Sequence, residues 1–274
     1  PTGAVPSLVR DPNAANIVYA AVPGRGVYRS NDTGNTWTPV NTGLGLAGTE
    51  SVIELAVEDL GATTTVYAAV ATGATLNGVF STTNAGANWN ALPGALPAAF
   101  NAGPNFAEKI QLIADPNNAG FVYIAGQGGG AAGDAYRYNP GGGGSWTSIF
   151  GANANNSTPH VDSHDLRFLG NDSLLYASDG GLYLLNNPHN IGANTWQSFN
   201  GAAPNGIRAV EFLGVAYDPN GNRIMGGSQD NGSEIQTALN NQTWDHVQDG
   251  DGQNQEYDPV NNIRYGLGNN FGNF

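Results

Sequence analysis

The segment Pro159-His160-Val161-Asp162-Ser163-His164-Asp165 places two of the chain's four histidines beside two carboxylates. On a strand, residues 160, 162 and 164 would share one face, because side chains alternate with a period of two. Two imidazoles and a carboxylate on one face suit a transition-metal ion. Three further polar segments follow: Ser178-Asp179-Gly180-Gly181, Ser228-Gln229-Asp230-Asn231-Gly232 and Asp249-Gly250-Asp251-Gly252-Gln253. Carboxylates alone, as at Asp230, Asp249 and Asp251, suit calcium, a hard cation that takes oxygen ligands. The expected ion is calcium or another divalent metal, with His160, Asp162, His164, Asp249 and Asp251 as candidate ligands; no organic cofactor is expected. Two other readings stay open. His160, Asp162, His164, Asp165, Asp179, Gln229 and Asp230 could converge on a sugar or peptide ligand. They could also be structural, with acids and amides bracing turns and histidines bonded to backbone. His189 and His246 stand alone in the sequence and read as ordinary loop residues.

The elements that must position these groups come from a repeat. Ser30-Asn31-Asp32-Thr33-Gly34-Asn35-Thr36-Trp37 returns as Thr82-Thr83-Asn84-Ala85-Gly86-Ala87-Asn88-Trp89. Looser copies end at Trp146, Trp196 and Trp244, so all five tryptophans recur at intervals of 52, 57, 50 and 48 residues. Before each lies an acid-led turn and a β-rich run: Asp11-Pro12-Asn13 before Ile17-Val18-Tyr19-Ala20, and Asp115-Pro116-Asn117 before Phe121-Val122-Tyr123-Ile124. The second unit has Glu58-Asp59-Leu60, the fourth Leu169-Gly170-Asn171, and the later ones Asp218-Pro219-Asn220 and Asp258-Pro259-Val260. Asp-Pro-Asn is strong turn chemistry, and short β-branched or aromatic runs after it read as strands. The pattern predicts four strands per unit: one before the acidic turn, one after it, one at Gly26 to Ser30 or Gly78 to Ser81, and one from the tryptophan. Four short antiparallel strands per ~50 residues is the signature of a propeller blade. The expected class is all-β, a β-propeller of five complete blades and a partial sixth.

In the repeated hairpin, Asp32 or Asn84 accepts backbone N–H groups, Gly34 and Gly86 supply a positive φ, and Trp37 and Trp89 are expected to pack between blades. These residues, with Ser30, resemble the Asp-box, or bacterial neuraminidase repeat, propellers. That group includes sialidases, xyloglucan-cleaving endoglucanases and sortilin-type receptors. The resemblance implies a propeller and treats the Asp-box as turn structure, not catalysis. The His-x-Asp-x-His, Asp-Gly-Gly and Gln-Asp-Asn-Gly segments also resemble a bacterial subset of these propellers whose members are uncharacterised or glycosidase-like. Sialidases need three arginines around a carboxylate. Here the eight arginines are scattered at 10, 25, 29, 137, 167, 208, 223 and 264, which disfavours that activity. A xyloglucanase-like glycoside hydrolase, or a fragment of one, stays as the alternative to a role in recognition or assembly at the cell surface.

Composition narrows the partners. A net charge of −13 argues against nucleic acid. No apolar run approaches ~20 residues, so no membrane insertion is expected. The absence of cysteine removes disulfide and thiolate chemistry. Abundant glycine and few charges fit a loop-rich secreted or surface protein whose ligand is a glycan or a protein. Five units are complete near Val247, and a sixth gives two strands between Gln253 and Leu267. The expected domain is therefore a single propeller over residues 1–274, truncated at its C-terminus. Its open blade edges should pair with the N-terminal segment, with another copy or with a partner chain.

Overall fold

The computed structural model describes residues 4–61, 63–98, 100–102, 110–129, 132–150, 159–193, 195–200, 212–229, 231–241 and 243–266. These residues are all-β. Five four-stranded sheets and one two-stranded sheet are each antiparallel, with strands in chain order. Among the described residues the one helical piece is a 3-10 turn at Gly141–Gly143, and no helix is long and apolar enough to cross a membrane.

The first sheet holds β1 (Ser7–Arg10), β2 (Val18–Val22), β3 (Gly26–Ser30) and β4 (Thr38–Pro39). The second holds β5 (Val52–Glu58), β6 (Thr65–Thr72), β7 (Thr75–Thr82) and β8 (Asn90–Ala91). The third holds β9 (Gln111–Ala114), β10 (Val122–Gly129), β11 (Ala132–Asn139) and β12 (Ser145–Ser148). The fourth holds β13 (Ser163–Phe168), β14 (Ser173–Ser178), β15 (Gly181–Asn186) and β16 (Thr195–Ser198). The fifth holds β17 (Phe212–Asp218), β18 (Arg223–Ser228), β19 (Gly232–Gln236) and β20 (Trp244–Gln248), and β21 (Gln255–Asp258) pairs with β22 (Ile263–Gly266). The expected strand order is thus present, and the sixth unit shows its first two strands.

The chain divides into two compact units, residues 1–178 with 183–198, and residues 179–182 with 199–274. In the first unit the opening strands of consecutive sheets lie side by side, β1 by β5, β5 by β9 and β9 by β13. The second strands β2, β6 and β10 are buried on both faces, and alternation divides β6 and β10 between two cores. Val66, Ala68 and Val70 of β6 pack with Tyr19 and Val27 of the preceding sheet and with Ile53 of their own. Tyr67, Ala69 and Ala71 pack with Ile110, Val122 and Ile124 on the other side. Tyr123 and Ala125 of β10 join Leu174, Tyr176 and Trp196 in a third core. An apolar layer between each pair of sheets explains why the Val-Tyr-Ala runs are continuous and not alternating. In the second unit, β17 lies beside β21.

Two details depart from the sequence reading. Trp89 and Trp196 are buried, and their indole N–H groups reach back to the preceding sheet's exit, on the Val40 carbonyl at 2.7 Å and the Ile149 carbonyl at 2.8 Å. Trp37 is only half-buried and its indole bonds the Gly34 carbonyl of its own hairpin at 2.9 Å. It does not tie one sheet to another as Trp89 does. The fourth strands of the first two sheets begin just after the tryptophan, at Thr38 and Asn90.

Candidate functional site

The repeated hairpin behaves as turn structure. The Asp32 Oδ1 accepts the Ser30 hydroxyl at 2.7 Å and the Thr36 N–H at 2.8 Å; Oδ2 accepts the Thr36 hydroxyl at 2.6 Å. The Thr36 hydroxyl and N–H, then Ser30, bring its carboxyl down to about 2. Asn84 repeats the scheme with the Thr82 hydroxyl at 2.8 Å and the Asn88 N–H at 3.0 Å. Gly34 has φ 93° and Gly86 φ 83°, a region where a Cβ is strained.

The acidic turns tie neighbouring sheets together. Asp115 is buried; its Oδ1 accepts the N–H groups of Asn117 and Asn118 at 2.8 and 2.9 Å. Its Oδ2 receives the Tyr123 hydroxyl at 3.2 Å and contacts His189 Nδ1 at 2.9 Å. The other ring nitrogen of His189 lies 2.7 Å from the Asn171 carbonyl of the next turn. Glu58 reaches forward in the same way, accepting the Gly120 N–H at 2.6 Å and the Tyr67 hydroxyl at 2.9 Å. His189 is therefore a wedge between two turns and not an isolated loop residue. His246 is also engaged, 2.9 Å from Asp249 Oδ1 and 3.7 Å from Glu234 Oε1.

The expected one-face trio at 160, 162 and 164 does not form on a strand. The strand begins at Ser163, and Asp162 sits before it with φ 61°. His164 occupies a bulge between the pairs Ser163–Ser178 and Asp165–Ala177, which breaks the alternation. Asp162 is buried and its N–H donates to the Gln127 carbonyl at 2.7 Å; His160 is half-buried and its carbonyl accepts the Tyr176 hydroxyl at 3.2 Å; His164 is exposed. Among the described residues no three His, Asp or Glu side chains form a group able to hold a metal ion.

Asp179, Gln229, Asp249 and Asp251 belong to the second unit, and Asp230 lies outside the described residues. Three of their segments meet through the Asn231 side chain and one backbone bond. The Asn231 amide donates to the carbonyls of Asp179 at 3.3 Å and Gln229 at 3.1 Å. The Gly252 N–H donates to the Ser228 carbonyl at 2.8 Å, which seats the Asp249–Asp251 segment beside the Gln229 turn.

A different belt emerges in the first unit. Counted back four residues from the turn at Asp11, Glu58, Asp115 and Leu169, the opening strands carry Ser7, Glu54, Gln111 and Asp165. All four are polar, and in β5 and β9 the remaining residues are mostly Val, Ile, Leu and Ala. The Ser7 hydroxyl is buried and accepts the Leu55 N–H at 3.0 Å. Asp165 pairs with Arg167 on its own strand at 3.2 Å, an exposed contact worth little stability. Burial pushes the Glu54 carboxyl up to about 7, against the lowering effects of the Ser7 hydroxyl and the Arg167 charge; Asp165 adds to the rise. Glu54, Asp165 and Arg167 thus feel one another although one whole sheet separates their strands in the chain. The fixed offset from the turns is legible in the sequence, but Ser7, Glu54 and Gln111 are each unremarkable alone.

Glu54 makes stability depend on pH. Its folded-state value lies above the ordinary 4.5, so folding favours the protonated form. The contribution is complete below about pH 4.5 and is lost as pH rises through about 7. Glu54→Gln should then be more stable than wild type at pH 8 by on the order of 2 kcal/mol, with the difference vanishing near pH 4. Denaturant unfolding at the two pH values checks this; an equal offset at both would show that Glu54 titrates normally.

No family model matches the sequence, and no curated protein matches it either. Solved structures do. A GH74 enzyme of Niastella koreensis is similar at 19% identity and TM-score 0.49, covering 93% of this chain and 42% of that one. The GH74 xyloglucanase of Xanthomonas campestris is similar at 13% identity and TM-score 0.48, with 91% and 46% covered. An auxiliary nutrient binding protein of Bacteroides thetaiotaomicron is similar at 12% identity and TM-score 0.46, with 96% and 66% covered. The chain spans under half the length of the two GH74 proteins it resembles.

Proposed function

We propose that this chain is an Asp-box β-propeller, secreted or at the cell surface, that recognises a polar ligand over the inner-strand belt of its first unit. The observation that carries this reading is the belt itself. Four successive opening strands present Ser7, Glu54, Gln111 and Asp165 at one register position, with Arg167 beside them. Donors and acceptors carried by four adjoining sheets suit hydroxyl-rich ligands, so a glycan is the first candidate and a protein surface the second. Binding to a panel of plant and bacterial polysaccharides tests it. Gln111→Ala and Asp165→Asn should each weaken a retained glycan, and retention unaffected by both would move the site elsewhere.

Glycoside hydrolysis is the second reading, favoured by one observation. Glu54 holds its proton to about pH 7 within reach of the Asp165 charge, and retaining or inverting glycosidases need one protonated and one ionised carboxyl. Reducing ends released from xyloglucan, with the rate falling at least ~100-fold in Glu54→Gln, would establish it. Polysaccharide retained without release would leave recognition alone. A divalent ion, calcium foremost, belongs to the same proposal at the Asp249 and Asp251 segment, where backbone oxygens and water would complete the coordination. It should raise the unfolding temperature by mass action, and a chelator should reverse the rise. Self-association through open sheet edges would show as a concentration-dependent mass.

A further inference from the structure

The acidic turn that ends β17 differs from its counterparts in charge. Asp218 is fully buried, and its Oδ1 accepts the Gly221 N–H at 2.8 Å. Its Oδ2 receives two guanidinium groups, Arg223 at 3.2 Å and Arg264 at 3.0 Å. Two cations on one carboxylate leave one net positive charge, in a chain whose overall charge is −13. Each guanidinium has five N–H donors and reaches Asp218 through Nη2, and the side chains remain 25% and 39% exposed. Asp258, the nearest further acid in sequence, is engaged on its own turn by the N–H groups of Val260 and Asn261 at 2.8 and 3.1 Å.

A cavity of about 490 Å³ opens over this clamp, lined by Asp218, Asn220, Gly221, Arg223, Asn262 and Arg264. The crevice at the Asp11 turn of the first unit lacks this character. At Asp11 the cavity is about 290 Å³, and its lining includes Thr63, Thr64 and Thr83 but no cation. At Asp115 the space holds His189. We propose that the Asp218 crevice binds an oxyanionic group, the carboxylate of a small sugar acid. The paired guanidiniums supply planar forks that match a carboxylate, and the amides of Asn220 and Asn262 at the rim suit hydroxyls. The volume falls within the range of small-molecule sites and exceeds what a bare ion needs.

The test is calorimetric titration of the full chain with glucuronate, glucose and sulfate at matched ionic strength. Glucuronate should bind saturably and glucose should not. Asn262→Asp adds a negative charge to the lining, keeps an acceptor for the Tyr257 hydroxyl and tolerates the left-handed φ of 55° at that position. It should weaken glucuronate at least ~10-fold without changing the unfolding temperature of the free protein. Arg264→Gln should weaken it further. Sulfate binding as tightly as glucuronate would keep the anion site but assign it to inorganic oxyanions. Absence of binding by both anions, or glucuronate affinity unmoved by Asn262→Asp, would overturn the proposal and leave the arginine pair a purely structural clamp.

Discussion

Trp196→Ala should cost about 3–5 kcal/mol, the range for truncating a large buried aromatic. The indole is fully buried, packs against Phe150 and Tyr176 at centroid distances of 5.7 and 5.8 Å, and holds the Ile149 carbonyl of the preceding sheet. Truncation therefore opens a cavity between two sheets and strands a backbone acceptor. Trp37→Ala should cost clearly less, because that ring is half exposed and bonds only its own hairpin. Denaturant unfolding of the two variants checks the order; a Trp37 variant as damaged as the Trp196 one would mean that its exposed face is covered in solution.

The second large effect is Asp115→Ala, expected at about 3–4 kcal/mol. The loss strands two turn N–H groups, the Tyr123 hydroxyl and the His189 ring around a buried position, and each unsatisfied buried group costs about 1–3 kcal/mol before relaxation. Asp258→Ala removes the same turn bonds from a position that is only half-buried and within reach of water, so its cost should be far smaller. Equal losses would mean that the turn itself, and not the tie between sheets, sets the energy.

The repeat was readable because it is written in short-range chemistry. Asp-Pro-Asn turns, Val-Tyr-Ala runs and the Ser-x-Asp hairpin each specify local geometry, and the strands fall where those signals place them. Inter-sheet relations were less readable. Whether a tryptophan is a tie or a surface ring depends on a preceding sheet's carbonyl, which Trp89 and Trp196 find while Trp37 bonds its own hairpin. The His160–His164 pattern looked like one strand face, but alternation requires an uninterrupted strand, and Asp162 and the bulge at His164 interrupt it. Arg223 and Arg264 seemed scattered because 41 residues separate them, yet pairing of consecutive turns brings both to Asp218.

The backward reach of Trp89 and Trp196 also sets an order of events. Each indole needs a carbonyl that only the preceding sheet's exit strand can present, so a sheet completes its core after its predecessor and not before. Within a sheet every pairing joins adjacent strands, which closes short loops at small entropic cost. A chain emerging from its N-terminus can therefore consolidate one sheet at a time, as one-dimensional arrays do. Pulse-labelled hydrogen exchange should find the amides of β6 protected before those of β14.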